Sequence, residues 1–427
     1  MRLQRELFMN KMKQSKVEWI GVIPEEWEVK EISKLFSQRN TKVSDFDFPP
    51  LSVTKQGIVP QLESAAKSDD HTNRKLVKKD DFVINSRSDR KMSSGVSEFD
   101  GSVSLINLVM IPKREKLSVS FVKYLLKNYG FAEEFYRWGT GIVDDLWSTN
   151  WERGKKIQLP IPSISEQQQI AKFLDEKTAL IDDIITDTKQ TIEELKSYKQ
   201  SLISEIVTKG LDSSETLVPS GVEWIGDSPK EWNKFTIGQL FEQVRKKNTG
   251  MIETNLLSLS YGRIKKRDIN SGDGLLPESF EGYNIIEIDD IVLRMTDLQN
   301  DKKSLRQGIS EERGIITSAY ITIRATKKVS SRFVYYQLFG FDVNKGYYGM
   351  GSGVRQSVNW NDVKKLTLML PSFELQNQIA DFLDRKTAQI DTLIIEKENV
   401  ISEYENYKKS IIYEYVTGKK QVDGYES

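Results

Sequence analysis

"VEWIGVIPEEW", residues Val17 to Trp27, returns as "VEWIGDSPKEW" at Val222 to Trp232. Tryptophan, glycine and proline each constrain local geometry, so chance is a poor source of the match. It also runs on, into Ile32, Leu35 and Phe36 against Ile237, Leu240 and Phe241. The phrase is a duplicated structural unit, and a longer repeat follows it. "PSISEQQQIAKFLDEKTALIDDIITDTKQTIEELKSYKQSLISEIVT" from Pro162 aligns without a gap on "PSFELQNQIADFLDRKTAQIDTLIIEKENVISEYENYKKSIIYEYVT" from Pro371, at a constant offset of 209.

Apolar residues in this repeat recur every seven positions on two tracks, the seam of a long helix that pairs with another. The seam residues are Leu174, Ile181, Ile185, Ile192, Leu195 and Leu202 in the first copy, and Leu383, Ile390, Ile394, Ile401, Tyr404 and Ile411 in the second. Lys199 and Lys408 also fall on it. Ser163 followed by Glu166 reads as a capping box, and Gly210 and Gly418 supply stops. Each helix is then roughly 44 residues and about 66 Å long. An isolated seam would argue for a homodimer. Two equivalent seams in one chain, at high effective concentration, favour an antiparallel internal pair.

Between each opening phrase and its helix lies a body of short, β-branched runs: "DFVINS" (Asp81 to Ser86), "SVSLINLVMIP" (Ser102 to Pro112), "NIIEIDDIVLRM" (Asn284 to Met295) and "IITSAYITIRA" (Ile315 to Ala325). The bodies correspond faintly. Asp80, Asp81 and Val83 answer Asp289, Asp290 and Val292; Gly95 and Gly101 answer Gly308 and Gly314; Phe121 and Tyr124 answer Phe333 and Tyr336. The expected fold is α+β: two pseudo-repeated α/β domains joined by two long helices in an antiparallel coiled coil. The expected segments are a first body at 1–160, a central helical region at 161–210, a second body at 211–370 and a distal helical region at 371–427.

Near-identical frames flank divergent bodies. A duplicated enzyme would keep its catalytic residues in both copies, whereas a reader of two different targets would diverge where it touches them. With no cysteine and the single histidine His71, thiolate metal sites and histidine relays are excluded, and the histidine reads as a surface loop residue. "GYYGMGS" (Gly346 to Ser352) lacks the lysine of a phosphate loop. No methyltransferase tetrapeptide occurs. Adjacent acids such as Asp144 and Asp145, or Asp289 and Asp290, read as solvated turns. No run of about 18 apolar residues offers a membrane span, and the N-terminus has no apolar core of signal-peptide length. A cytoplasmic protein is expected.

Formal net charge is zero, with 62 basic and 62 acidic residues. The two helices are acidic, so the bodies carry the compensating positive charge. It gathers in "RSDRKMSSG" (Arg87, Arg90, Lys91), "RKKNTG" (Arg245, Lys246, Lys247), "YGRIKKRD" (Arg263, Lys265, Lys266) and "DKKSLRQG" (Lys302, Lys303, Arg306). Lysines neutralise phosphates, small residues allow close approach, and arginine or glutamine can bond a base edge twice. "GSGVRQSVNW" (Gly351 to Trp360) offers Arg355 and Gln356 as further readers, where the first copy has Val143, Asp144 and Asp145. Singly, each run reads as a solvated loop. Together, against acidic helices, they point to duplex DNA. Tyr261 could stack or pack; for Trp138 packing is the simpler reading.

The "VEWIG..P..W" opening, the "P...EQ..IA.FLD.KTA.ID" helix start and the "Y..SLI.E.VT" helix end, each present twice, resemble the specificity subunit of Type I restriction-modification systems. One departure is Leu375 where the first copy has Glu166. The resemblance implies a non-catalytic DNA reader with two target-recognition domains, each reading half of a bipartite, asymmetric site. It implies two modification subunits that bind S-adenosylmethionine and methylate adenine, and restriction subunits that use ATP and magnesium, with no cofactor on this chain. Half-sites one turn of DNA apart are separated by about 34 Å, within reach of helices of this length. The rival readings are a coiled-coil scaffold that touches no DNA and a self-sufficient restriction or methylation enzyme.

Overall fold

The computed structural model describes residues 11–61, 71–141, 147–269, 277, 279–296, 298, 305–350 and 357–422. The chain divides into two compact units, Met1–Thr188 with Asn399–Ser427, and Lys189–Glu398.

In the first unit, β1 (Glu28–Glu31), β2 (Phe36–Arg39) and β3 (Lys42–Val43) precede a hairpin of β4 (Leu51–Val53) and β5 (Ile58–Pro60). Then come β6 (Arg74–Val77), β7 (Phe82–Asn85), β8 (Ser94–Val96), β9 (Gly101–Val103) and β10 (Asn107–Pro112). Helices α1 (Val119–Leu125) and α2 (Tyr129–Arg137) and strand β11 (Gln158–Ile161) lead into the long helix α3 (Ile164–Lys209). One antiparallel sheet has the order β8, β7, β10, β2 and another the order β9, β6, β3, while β11 closes back on β1.

The second unit repeats this plan. Strands β12 (Asn233–Thr236) and β13 (Phe241–Gln243) lead to the hairpin β14 (Leu257–Ser260) and β15 (Arg263–Lys266). Strands β16 (Asn284–Ile286), β17 (Ile291–Leu293), β18 (Gln307–Ile309), β19 (Gly314–Ile316) and β20 (Ile321–Ala325) follow, with helix α4 (Ser331–Val343), β21 (Thr367–Leu370) and the long helix α5 (Phe373–Val416). The four-stranded sheet has the order β18, β17, β20, β13, that of the first unit strand for strand. The second pairs β16 with β19, and β21 closes on β12.

Alternation explains why the central strands are apolar throughout. Phe82, Ile84, Leu108 and Met110 face the helices, while Val83 and Val109 face a smaller core under the β4–β5 hairpin. Ile291, Leu293 and Ile323 face helices in the second unit, and Val292 faces Leu257 and Leu259 of its hairpin. A sheet covered on both faces has no polar side to show. The hairpin crosses so closely that a Cβ on Gly101 would lie 2.5 Å from the Pro49 carbonyl, and one on Gly314 the same distance from that of Asn255. That is why these two glycines answer one another.

Three of the β-branched runs are each two strands. The second run breaks between Val103 and Asn107, the third between Ile286 and Ile291, and the last between Ile316 and Ile321. Asp289 takes a left-handed conformation (φ 67°) in its turn, as Asp80 does (φ 74°) ahead of β7. The reading of adjacent acids as solvated turns is corrected at the next residue. Asp290 and Asp81 are buried, each gripped through both carboxylate oxygens by an arginine, Arg324 at 2.6 and 2.8 Å and Arg39 at 2.6 and 3.0 Å.

Helices α3 and α5 have 46 and 44 residues and end on left-handed Gly210 (φ 86°) and Gly418 (φ 71°). In the first unit they pair antiparallel through Leu174, Ile181, Ile185 and Ile411, with Ile401 and Tyr404 packed alongside, and Asp182 meets Lys408 at 2.6 Å. In the second unit Ile192, Leu383 and Ile390 are buried, Leu195, Leu202 and Ile394 half-buried, and Lys199 meets Asp391 at 2.7 Å. The two ion pairs exchange places under the 209-residue offset. Towards the end of α3 burial passes from the seam to Ile203 and Val207, which pack on α4 and its neighbours.

Candidate nucleic-acid interface

The duplicated phrases prove to be the joints that hold each body to its helices. Gln167, fully buried, donates through Nε2 to the carbonyls of Pro162 and Lys116 at 3.0 Å and accepts from the Ser118 amide at 2.8 Å. Gln376 does the same with the Pro371 carbonyl and the Ser330 amide, both at 2.9 Å. Two turns on, Tyr124 donates to Asp175 and Tyr336 to Asp384, each at 2.6 Å. Burial and the neighbouring carboxylate push both phenols above their ordinary range. The capping box is half formed: Ser163 Oγ accepts from the Glu166 amide at 3.3 Å, but the Glu166 carboxylate turns to Trp27 Nε1 at 3.0 Å.

With the bodies fixed, their exposed loops are what a ligand meets. In the first unit Arg87, Arg90 and Lys91 are exposed on a short turn that follows β7. The Ser88 amide donates to the Trp147 carbonyl at 3.0 Å and the Thr149 amide to Ser86 at 2.9 Å. Two runs separate in sequence, "RSDRKMSSG" and the segment ending in "WSTNW", therefore share one edge of the sheet. Lys91 pairs with Glu133 at 2.9 Å and Arg90 with Asp89 at 3.3 Å. Trp138 packs against the core and donates to Glu134.

In the second unit the matching bond runs from the Val358 amide to the Met295 carbonyl at 3.0 Å. Lys302, Lys303, Arg355 and Gln356 lie outside the described residues, as do Val143, Asp144 and Asp145. Arg245 bonds Gln243 at 2.8 and 3.0 Å, Lys247 donates to the Gly282 carbonyl at 2.9 Å, and Lys246 is exposed. On the β14–β15 hairpin Lys265 is exposed and Lys266 pairs with Glu312 at 2.9 Å, which holds that carboxyl below its usual range. Tyr261 stands at the tip, 76% exposed and left-handed (φ 47°).

One assignment is corrected by this geometry. Arg306 is fully buried, with Nη1 donating to the Thr296 carbonyl at 3.0 Å and its amide to Asp342 at 2.7 Å, so it braces the fold and offers nothing to a duplex. Arg263 reaches Asp391 of α5 at 2.8 Å and ties the hairpin tip to the helix. Sequence reasoning passed over Lys55 and Gln56, exposed on the β4–β5 hairpin at the place where Tyr261 and Gly262 turn the second one. The signal was the shared "LS" that opens both hairpins.

No metal-holding group of three or more His, Cys, Asp or Glu occurs among the described residues, and no helix there is long and apolar enough to cross a membrane. Residues 229–403, spanning the second body and most of α5, match the Type I restriction modification DNA specificity domain. The second half of the chain thus carries the sequence pattern of a Type I DNA specificity domain. It is 23% identical over 427 residues to the type I restriction enzyme MjaVIII specificity subunit of Methanocaldococcus jannaschii, covering 94% of each chain. Its fold is that of a chain from a structure of type I R-M complex assembly and conformational transition (TM-score 0.71, 11% identity, 93% of this chain and 99% of that one). It is also that of the HsdS subunit from Thermoanaerobacter tengcongensis (TM-score 0.54, 13% identity, 93% and 98%).

Proposed function

We propose that this chain is the catalytically silent sequence reader of a Type I restriction-modification complex. Each unit reads one half of a bipartite, asymmetric duplex site. Arg87, Arg90 and Lys91 in the first unit and Lys246, Lys265 and Lys266 in the second supply phosphate contacts, and Lys302, Lys303, Arg355 and Gln356 extend the second set. The paired helices set the distance between half-sites and dock two modification subunits. Those subunits bind S-adenosylmethionine and methylate adenine, and restriction subunits bring ATP and magnesium.

The observation that supports this best is one fold built twice on a closely matching frame, with the sequence differences concentrated in the bodies between its repeats. Matching glutamine and tyrosine joints hold the two bodies alike, while unlike loops face unlike targets. The test is to co-express the chain with its cognate modification subunit in a host lacking adenine methylation and map methylated adenines by single-molecule sequencing. A single gapped, asymmetric motif that vanishes without this chain is expected. No motif, with the partner folded and bound, would overturn the reading.

A further inference from the structure

The tip of the β14–β15 hairpin carries a strain that the fold does not need. Ser260 pairs with Arg263 across it, so Tyr261 and Gly262 alone make the turn, and both are left-handed, at φ 47° and 77°. A two-residue turn of this hand favours asparagine followed by glycine. The glycine is in place, and a Cβ there would lie 2.8 Å from Leu305 Cδ1. The tyrosine ahead of it is the outlier, because a bulky side chain is strained in the left-handed region. Its ring is 76% exposed and makes no ring, cation or hydrogen-bond contact among the described residues, so no such contact offsets the strain.

The turn is also braced. Arg263 reaches Asp391, which Lys199 meets as well at 2.7 Å, and Tyr335 Oη donates to the Gly262 carbonyl at 3.4 Å. Leu257 and Leu259 of the same hairpin are buried against Val292 of the sheet. A strained side chain held out to solvent on a braced turn is the arrangement of a residue that acts on a partner. The first unit has no counterpart: its hairpin turns on exposed Lys55 and Gln56, neither of them left-handed.

Charge identifies the partner. The hairpin Leu257–Lys266 carries Arg263, Lys265 and Lys266 and no acid. Of the carboxylates that meet it, Glu312 is paired with Lys266, and Asp391 is shared by two cations, Lys199 and Arg263, which leaves a surplus positive charge at the tip. Lys265 is exposed and no acid among the described residues pairs with it. A polyanion is therefore drawn to the strand that presents the ring. Within a duplex, a side chain reaches a base face only at a step that it partly unstacks. Resting on the function proposed above, we infer that Tyr261 is a wedge, its ring stacked on a base at a step that it opens in the half-site read by the second unit. A pyrimidine–purine step is expected there, since such steps unstack most readily.

The test replaces Tyr261→Asn and Tyr261→Phe in the full chain co-purified with its cognate modification subunit, on a duplex carrying the motif that methylation mapping yields. 2-Aminopurine, placed in turn at each purine of the motif, reports an opened step by its fluorescence. Asparagine is the residue this turn prefers, so Tyr261→Asn should raise the melting temperature of the chain by about 2–4 °C. The same variant should lose duplex affinity at least about tenfold and leave the step closed. Tyr261→Phe keeps the ring and should bind and open the step as wild type does. A fall in melting temperature would overturn the wedge, because the ring would then be packing within the fold, and so would an unchanged duplex affinity. Loss of the modification subunit from Tyr261→Asn would overturn it too, as the mark of a protein contact. A wild-type complex that yields no motif would overturn the proposed function, and the wedge with it.

Discussion

One carboxylate separates the two halves of the chain at their shared helix start. Glu166 accepts from Trp27 Nε1 at 3.0 Å, whereas Leu375 stands at its place in the second copy and Trp232 Nε1 is buried without an acceptor among the described residues. A buried donor left unpaired costs about 1–3 kcal/mol, and the second unit shows what the first would become. Glu166→Leu should therefore lower stability by about 1 kcal/mol, the low end because the site is only half-buried, read as a shift in denaturant midpoint at unchanged slope. An unchanged midpoint would mean the bond to Trp27 contributes nothing. Burial raises the Glu166 carboxyl above its ordinary value, so the folded chain holds that proton more tightly than the unfolded chain. Its contribution is fully present below the ordinary glutamate value of 4.5 and is lost as pH rises through the raised one. Glu166→Gln carries no such proton, so the wild type should lose stability relative to this variant as pH rises across that window. Parallel curves would contradict the assignment.

At the scale of elements, the joints matter more than the seam. Gln167, itself fully buried, closes two bonds from the start of α3 to the loop before α1, at Lys116 and Ser118, and a third to the Pro162 carbonyl just ahead of its own helix. Gln167→Leu keeps the volume and orphans the Ser118 amide and two carbonyls, at a cost of about 1–3 kcal/mol. Gln376→Leu should cost a similar amount. Thermal unfolding checks both, and a neutral substitution at either would show the joint to be held by packing alone. The seam was legible because it is periodic: heptads name their own buried face, and α3 and α5 run between the glycines that stop them. The joints were not, because Gln167, Tyr124 and Asp175 meet only after the chain has folded, and a glutamine near a helix start reads as a cap. The basic runs were legible as exposed loops, but charge in sequence does not disclose a partner in space. Arg306 was misassigned for that reason.

For the whole molecule, the decisive relation is that frame and reader are separable. Val17–Leu35 and Ile157–Ile161 form the base on which the first body stands. Strand β1 pairs with β11 there, Tyr413 donates to the Trp19 carbonyl at 2.7 Å, and Lys419 bonds the carbonyl of Ile20. None of these contacts belongs to residues 36–156. A graft of those residues from a Type I specificity subunit, cut between Leu35 and Phe36 and between Lys156 and Ile157, should therefore fold on this base. The donor must bring large apolar residues where Phe36, Phe82 and Phe121 join the cluster of Leu174, a tyrosine at 124 for Asp175, and the loop backbone at 116 and 118 that closes on Gln167. Paired with its modification subunit, the chimera should methylate a motif in which one half-site is the donor's and the other is unchanged. A motif altered in both halves would show that the units do not read independently. A wild-type motif would place the readers outside residues 36–156, in the frame that both copies share.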